Sequence, residues 1–185
     1  MARAQEVRLT HADYLTLPED GRRYEIIAGE LVVSPSSTLS HQRVVMNALR
    51  LLFAWLAEHP AGELFTAPLD VIMANDTVVQ PDIVYVTHER LPEVAGKWIH
   101  GAPDLVVEVL SPSTRARDLT VKRKVYAQFG VREYWVLDPE SRALTILGLS
   151  GKRYQELASG VGTRPLASSV LAGLRISPAD LFRRK

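Results

Sequence analysis

Apolar and polar residues alternate first with the period of a strand and then with the period of a helix. Residues 22–34 (RRYEIIAGELVVS) contain two β-prone runs separated by Ala28-Gly29, and this arrangement predicts a β-hairpin. From His41 to His59 the apolar residues recur every three or four positions, which predicts an amphipathic helix that Pro60 ends. Ahead of the hairpin, Thr10 is placed to cap a short helix.

Three strand-like runs follow, and after them come a second helix and a pair of strands. The three runs are Glu63–Met73, Val78–Val86 and Asp104–Leu110. A helix is expected from about Arg115 to Phe129, with Gly130 at its C-terminal end. The segments REYWVLD and ALTILGL then predict two strands that a turn over residues 139–142 joins. This order predicts a mixed α/β fold (α+β with a mixed sheet), and we expect residues 1–185 to form a single domain.

The composition is that of a soluble globular protein, with 46% hydrophobic and 23% charged residues among 185. No apolar run approaches the roughly 20 residues of a membrane span, and the N-terminal residues lack the apolar core of a secretion signal. A cytoplasmic location without membrane contact is therefore expected. The absence of cysteine excludes disulfides, zinc–thiolate sites and cysteine nucleophiles. A net charge of +1 gives no overall attraction to nucleic acid, so any nucleic-acid-binding surface has to be local.

Glu108 interrupts an otherwise apolar strand and is the first candidate for chemistry. Side chains alternate faces along a strand, so Glu108 shares its face with Val106 and Leu110, where an unpaired carboxylate is costly to bury. The two preceding runs carry Asp82 and Asp70. If the strands are neighbours, Asp82 and Glu108 lie about 5–8 Å apart. Two carboxylates at this distance repel each other unless one is protonated or a divalent cation lies between them, and such oxygen ligands suit Mg²⁺ or Mn²⁺.

A cationic partner for Glu108 is predicted on the following helix. Lys122 lies in the middle of the apolar face of this helix, whereas Lys124 is rotated away by about 200° and is the second candidate. The apolar residues around Lys122 are Leu119, Val125, Tyr126 and Phe129. A glutamate near an inward lysine is also typical of a buried salt bridge without a catalytic role. Both interpretations stay open.

Two segments resemble a known family. QPDIVYV and APDLVVEVLSPSTRARDLTVKRKVYAQFGVREYWVLDP are similar to the Uma family of prokaryotic proteins, and the resemblance extends from YEIIAGELVVSPSS to Asp138. That family is assigned to the PD-(D/E)XK, or restriction-endonuclease-like, superfamily. The resemblance implies an αβββαβ core over about residues 41–138, with the N-terminal hairpin and the C-terminal strands as additions.

The resemblance assigns roles to some of the residues selected above. Asp82 corresponds to the strand aspartate of the superfamily, and Glu108 corresponds to the acid of its (D/E)XK element. The usual lysine two residues after the acid is replaced by Leu110, and Lys122 in DLTVK fits a lysine that has moved to the next helix.

Glu25 and His41 occupy further positions that the family shares, and the resemblance makes each a catalytic candidate. The alternative interpretations are an exposed hairpin charge for Glu25 and a local hydrogen bond at the helix start for His41. Enzymes of this superfamily often cut both strands of DNA as dimers, which implies DNA as the partner and a homodimer as the assembly.

These residues predict a metal-dependent endonuclease. Asp82, Glu108 and the backbone carbonyl of Val109 would hold Mg²⁺ or Mn²⁺, with Asp70 as an additional acid. Lys122 would orient the attacking water or stabilise the developing charge. Two alternatives stay open: a catalytically inactive module that binds DNA or a protein partner, and a phosphodiester hydrolase that acts on a small nucleotide.

Overall fold

A computed structural model describes residues 7–183 of the chain. The helices are α1 His11–Tyr14, α2 Leu39–Glu58, α3 Leu91–Val94, α4 Arg115–Arg117, α5 Arg123–Phe129 and α6 Pro178–Leu181. A π-helical turn, Asp118–Lys122, joins α4 to α5. The strands are β1 Arg23–Ile27, β2 Glu30–Ser34, β3 Gly62–Thr66, β4 Val71–Ala74, β5 Thr77–Val79, β6 Ile83–Thr87, β7 Ile99–His100, β8 Leu105–Val109, β9 Glu133–Asp138, β10 Ala143–Ser150, β11 Arg153–Gly160, β12 Leu166–Ala167 and β13 Arg175–Ile176.

These strands form two mixed sheets and a short separate ladder of β12 and β13. The larger sheet has six strands in the order β11-β10-β9-β8-β6-β3, and only β8 and β9 are parallel neighbours in it. The smaller sheet has five strands in the order β2-β1-β5-β4-β7. A parallel pair needs a crossover connection, which α4, the π-helical turn and α5 supply between β8 and β9. Together, α2, β3, β6, β8, this crossover and β9 form the predicted αβββαβ core.

Strand β8 is central in the larger sheet and is buried on both faces. Leu105, Val107 and Val109 belong to the apolar cluster that includes the inward residues of α2. Val106 and Leu110 belong to the cluster on the other face, together with residues of α5. The alternation of faces predicted for this strand is confirmed.

Two of the predicted strands are each two strands in the structure, and this part of the prediction was wrong. Glu63–Met73 is divided into β3 and β4, and Val78–Val86 is divided into β5 and β6, with the two members of each pair in different sheets. Pro68 and Pro81 lie at the two breaks, and proline has no N–H group to donate to a sheet. Asp82 therefore lies directly before β6, and not within a longer strand.

The hairpin strands, α2, β8, β9 and β10 agree with the predictions within two residues at each end. The helix expected over Arg115–Phe129 contains the π-helical turn, and α1 ends at Tyr14, short of Pro18 where the sequence predicts its end. The sequence did not predict α3, β7, β11, β12, β13 or α6. β1 and β2 pair across Ala28 and Gly29, whose φ values are 53° and 84°. Thr10 caps α1 by accepting a hydrogen bond from the backbone of Asp13. Gly130 ends α5 in the left-handed conformation, with φ of 93°. Within residues 7–183 no helix is both long and apolar enough to cross a bilayer.

Candidate active site

Two acidic side chains meet where β6 begins and β8 ends. The two strands are antiparallel, with Ile83 opposite Val107, so one further step of this register places Asp82 opposite Glu108. Both acids are buried, with 4% of Asp82 and 3% of Glu108 exposed. Strand pairing therefore brings together the two acids that the sequence pattern selected.

Asp82 accepts hydrogen bonds from three different elements. Its Oδ2 lies 3.1 Å from His41 Nε2 of α2 and 2.8 Å from the backbone nitrogen of Val109. Its Oδ1 lies 3.2 Å from Arg23 Nη1 of β1, and the same guanidinium also donates to the Gln80 carbonyl. Burial raises the pKa of a carboxyl, but the hydrogen bond from His41 and the charge of Arg23 outweigh it, and the pKa of Asp82 is lowered.

Lys122 joins Glu108 to a third acid, Glu25 of the hairpin. Lys122 Nζ lies 2.8 Å from Oε1 of Glu108 and 2.8 Å from Oε1 of Glu25. The Tyr126 hydroxyl donates to Glu108 Oε1 at 2.6 Å, and the backbone N–H of Gln80 donates to Glu25 Oε1 at 2.8 Å. One buried ammonium therefore connects β1, β8 and the π-helical turn.

The protonation of this cluster follows from its surplus of acids. Burial raises the pKa of Glu108 to about 8, although Lys122 opposes the shift. The carboxylates of Asp118, Asp82 and Glu25 add to the rise. Burial lowers the pKa of an amine, but the neighbouring carboxylates outweigh it and raise the pKa of Lys122. At neutral pH the ammonium of Lys122 therefore keeps its proton, and Glu108 also holds one.

The donor set and its charge fit a divalent cation. The buried acids of the cluster are Glu25, Asp82, Glu108 and Asp118, and its permanent cations are Arg23 and Lys122. Among residues 7–183, no three acidic, histidine or cysteine side chains converge into a ready metal cage. Mg²⁺, however, is usually held by one or two carboxylates, with water and substrate phosphate as the other ligands. A pair of carboxylates in a cluster with excess negative charge suits this mode of binding.

The cluster opens to solvent through two adjoining clefts. One cleft, of about 290 Å³, passes Glu108, Lys122 and residues 34–38. The other, of about 530 Å³, passes residues 66–68 and Gln80. The residues that line both clefts are Arg23, Ser37, His41 and Asp82. A ligand that enters either cleft therefore meets the Asp82 end of the cluster.

Two candidates from the sequence lie outside this cluster. Asp70 lies between β3 and β4, where it accepts hydrogen bonds from Tyr14 Oη at 2.6 Å and Gln80 Nε2 at 2.8 Å. Because it is not part of a strand, the alternation of faces that made it an inward acid does not apply. Lys124 is exposed on α5, as its rotation of about 200° from Lys122 requires.

Three residues of the site, Arg23, Asp118 and Tyr126, were missed from the sequence, although each carried a signal. Arg23 is two positions from Glu25 on the same strand and so shares its face. Asp118 and Tyr126 are each four positions from Lys122 and so lie on its helix face. Arg117 belongs to a basic run of the sequence for which phosphate contact and a solvated helix face were both open; it lines the smaller cleft and donates from Nη2 to Ser34 Oγ at 2.8 Å.

The chain resembles known proteins both in sequence and in fold. Residues 11–179 match the family model Uma2, which is described as "Putative restriction endonuclease". The chain is 26% identical over 133 residues to the uncharacterized protein sll1609 of Synechocystis sp., a match that spans 70% of this chain and 75% of that protein. A crystal structure from Anabaena variabilis, titled as "a putative nuclease belonging to DUF820", has a TM-score of 0.76 and 21% identity, over 94% of this chain and 97% of that one. That likeness shows a shared fold, and the family match shows that this chain belongs to the Uma2 family.

Proposed function

We propose that this chain is a metal-dependent endonuclease that hydrolyses phosphodiester bonds of nucleic acid, with DNA as the substrate. Its family and its nuclease fold support a nuclease. The observation that carries the proposal is the placement of Asp82 across from Glu108, with Lys122 Nζ 2.8 Å from Glu108. Two oxygen ligands and a cation in one cleft suit phosphodiester hydrolysis.

Asp82 and Glu108 would hold Mg²⁺ or Mn²⁺, with the backbone carbonyl of Val109 as a further oxygen ligand. When bound, the cation supplies Lewis-acid polarisation of the phosphate and lowers the pKa of a bound water. Asp82 then shares its charge between the cation and its present partners, His41 and Arg23. The Arg23 guanidinium lines both clefts, so it is available to a phosphate oxygen.

The remaining residues of the cluster act by holding charge in place. Lys122 stabilises the charge that develops on the phosphate or orients the attacking water. Glu25 and Glu108 hold the Lys122 ammonium from two strands, at 2.8 Å each. His41 orients Asp82 through Nε2. Arg117 lines the smaller cleft, where its guanidinium charge is available to a phosphate of the substrate.

The first test is cleavage of supercoiled plasmid and of labelled oligonucleotides in Mg²⁺, in Mn²⁺ and in EDTA. Asp82→Asn and Glu108→Gln should lower cleavage by roughly 10²–10³-fold, because each removes a ligand from the carboxylate pair. Lys122→Met should be comparably impaired, and Lys124→Met is its matched control on the same helix. A folded Asp82→Asn protein that cleaves at the full rate would overturn the proposal.

A second candidate function is a nuclease-fold module that binds DNA or a protein without turnover. One observation favours it: protein groups already satisfy both acids, Asp82 through His41 and Arg23, and Glu108 through Lys122 and Tyr126. Such a module would bind labelled DNA or a partner in EDTA, show no cleavage in either metal, and melt at the same temperature with and without Mn²⁺.

The proposal includes a homodimer, because cutting both strands of a duplex needs two such sites. Light scattering gives the mass in solution, and the ratio of nicked to linear plasmid reports whether one or two strands are cut. A monomer that produces linear plasmid in a single binding event would contradict this part of the proposal.

A further inference from the structure

A basic pocket lies beside the first turns of α2, apart from the carboxylate cluster. It is a cavity of about 150 Å³, and its lining includes Arg43, Arg142 and Arg183 and no acidic side chain. Because the chain as a whole carries a net charge of only +1, three arginines around one cavity are a local concentration of positive charge. Guanidinium groups bind phosphate oxygens with paired, charge-assisted hydrogen bonds.

Two of these arginines have unfavourable local features, one in its backbone conformation and one in a buried side-chain nitrogen. Arg142 has φ of 55°, in the left-handed region where glycine is the ordinary residue, and its Nη2 donates to the Phe182 carbonyl at 3.2 Å. Arg183 has a buried Nε without a hydrogen-bond partner among the described residues. Asn47 of α2 fixes this end of the chain by donating to the carbonyls of Leu181 at 2.9 Å and Arg183 at 3.2 Å.

A continuous path joins this pocket to the carboxylate cluster. Ser40 and Pro139 line both the pocket and a neighbouring cleft of about 430 Å³. That cleft also reaches Thr38, Ser111 and Pro112, which border the smaller cleft of the active site.

The path contains two acids as well. Asp138 is paired with Arg115 at 2.9 Å, and Glu140 is exposed. Pairing leaves the first of them with little net charge, and the exposed second acid is free to turn into solvent.

The geometry of α2 sets the spacing of the two sites. His41 faces the active site and Arg43 lines the basic pocket. Side chains two positions apart on a helix point in directions that differ by about 200°. His41 and Arg43 therefore lie on opposite sides of α2, which is about 10 Å wide.

We propose that the pocket formed by Arg43, Arg142 and Arg183 binds a phosphodiester group of the substrate strand, on the opposite side of α2 from the bond at the carboxylate pair. This inference rests on the proposed nuclease function for its choice of ligand. The pocket holds the strand by its backbone, through paired hydrogen bonds from the guanidinium groups to phosphate oxygens. It sets the register of the strand along the path past Ser40 and Pro139.

The test is binding of a fluorescent DNA oligonucleotide in EDTA, followed by anisotropy over a range of salt concentrations. Arg142→Gly and Arg43→Ala should each weaken binding about fivefold to tenfold and lower the salt slope by about 1, because each removes one phosphate contact. Arg142→Gly should melt no lower than wild type, since glycine suits the left-handed backbone. Arg43 is exposed on a helix, so we expect Arg43→Ala to fold. This variant keeps the test valid even if Arg142→Gly does not fold.

The matched control is Arg153→Ala, which removes the same charge at the other end of the β10–β11 hairpin. Arg153 is exposed and pairs with Ser150, whereas Arg142 directly precedes β10. Eight residues of extended strand separate the two by roughly 27 Å. If all three variants lose affinity equally, or if none does, the pocket is not a phosphate contact and the proposal is overturned.

Inorganic phosphate tests whether the pocket binds a phosphate group of the substrate strand or a free small anion. In one outcome, phosphate raises the melting temperature of wild-type protein and not that of Arg142→Gly, while the variant binds DNA as tightly as wild type. That combination would make the pocket a small-anion site and overturn its assignment to the substrate strand. Failure of the nuclease function looks different. In that case DNA binding still depends on Arg43 and Arg142, while Mg²⁺ and Mn²⁺ produce no cleavage.

Discussion

Lys122 Nζ lies 2.8 Å from Glu108 Oε1, although the two residues are 14 positions apart and belong to a helical turn and a strand. The position two residues after Glu108 is Leu110, which is buried among apolar residues. The crossover after β8 therefore supplies the cation that the strand lacks. The lysine is the last residue of the π-helical turn Asp118–Lys122, a rare geometry that frequently occurs at functional sites.

Replacing Lys122 with methionine should both destabilise the fold and abolish activity. The change leaves Glu25 and Glu108 buried without their shared cation, which we expect to cost about 3 kcal/mol in the free energy of unfolding. Urea denaturation measures the loss. Lys124→Met, on the exposed side of the same helix, should change stability by no more than about 0.5 kcal/mol. Equal stability of the two variants would contradict a buried ionic role for Lys122.

The stability of wild-type protein in EDTA should fall as the pH rises from about 5 to about 8. Burial raises the pKa of Glu108 to about 8 in the folded protein, whereas a glutamate in the unfolded chain has a pKa of about 4.3. Between these values the folded state keeps a proton that the unfolded state has released. This stability is present in full below the lower value and is lost towards the higher one, by at most about 1.4 kcal/mol per pH unit.

Glu108→Gln isolates this effect, because glutamine cannot ionise. The variant should gain stability relative to wild type as the pH rises, as measured by urea denaturation at several pH values. Glu63→Gln, at an exposed position of β3, should show a difference that does not vary with pH. A constant difference for Glu108→Gln would mean that Glu108 ionises as it does in the unfolded chain.

Millimolar Mn²⁺ should raise the melting temperature of wild-type protein but not of Asp82→Asn or Glu108→Gln. A cation that binds only the folded state stabilises that state by about 2.7 kcal/mol when the cation concentration is 100 times the dissociation constant. Asp70→Asn should keep the response, because Asp70 contacts Tyr14 and Gln80 outside the cluster. Loss of the response in Asp70→Asn would restore this residue as a ligand.

Glu133 should matter for stability and not for metal binding. Its carboxylate is 0% exposed and accepts hydrogen bonds from Trp135 Nε1 at 2.6 Å, Ser168 Oγ at 2.6 Å and the backbone nitrogen of Ser169 at 2.7 Å. Glu133→Ala leaves these donors unsatisfied, and we expect a loss of about 3 kcal/mol in denaturant unfolding. Glu156→Ala, an exposed glutamate on β11, is the control. An unchanged Mn²⁺ response in Glu133→Ala would separate this network from the carboxylate cluster, and a lost response would join them.

The sequence alone determined the local elements and the two central acids. Alternation along β8 assigned Glu108 to a buried face, and helical periodicity assigned Lys122 to the inward side of its helix. Both inferences needed only the geometry of one element, because a strand repeats every two residues and a helix about every 3.6. The expectation of a single domain and of a homodimer stays a prediction.

The tertiary structure alone decided which groups share the site. Arg23 and His41 reach Asp82 from a hairpin and a helix that are 59 and 41 positions away from it in sequence. Because the chain passes between the two sheets at Pro68 and at Pro81, Asp70 lies outside the cluster. Periodicity reports which way a side chain points within its own element. The distance between elements depends on how they pack, so the net charge of the cluster and the protonation of Glu108 are properties of the folded chain.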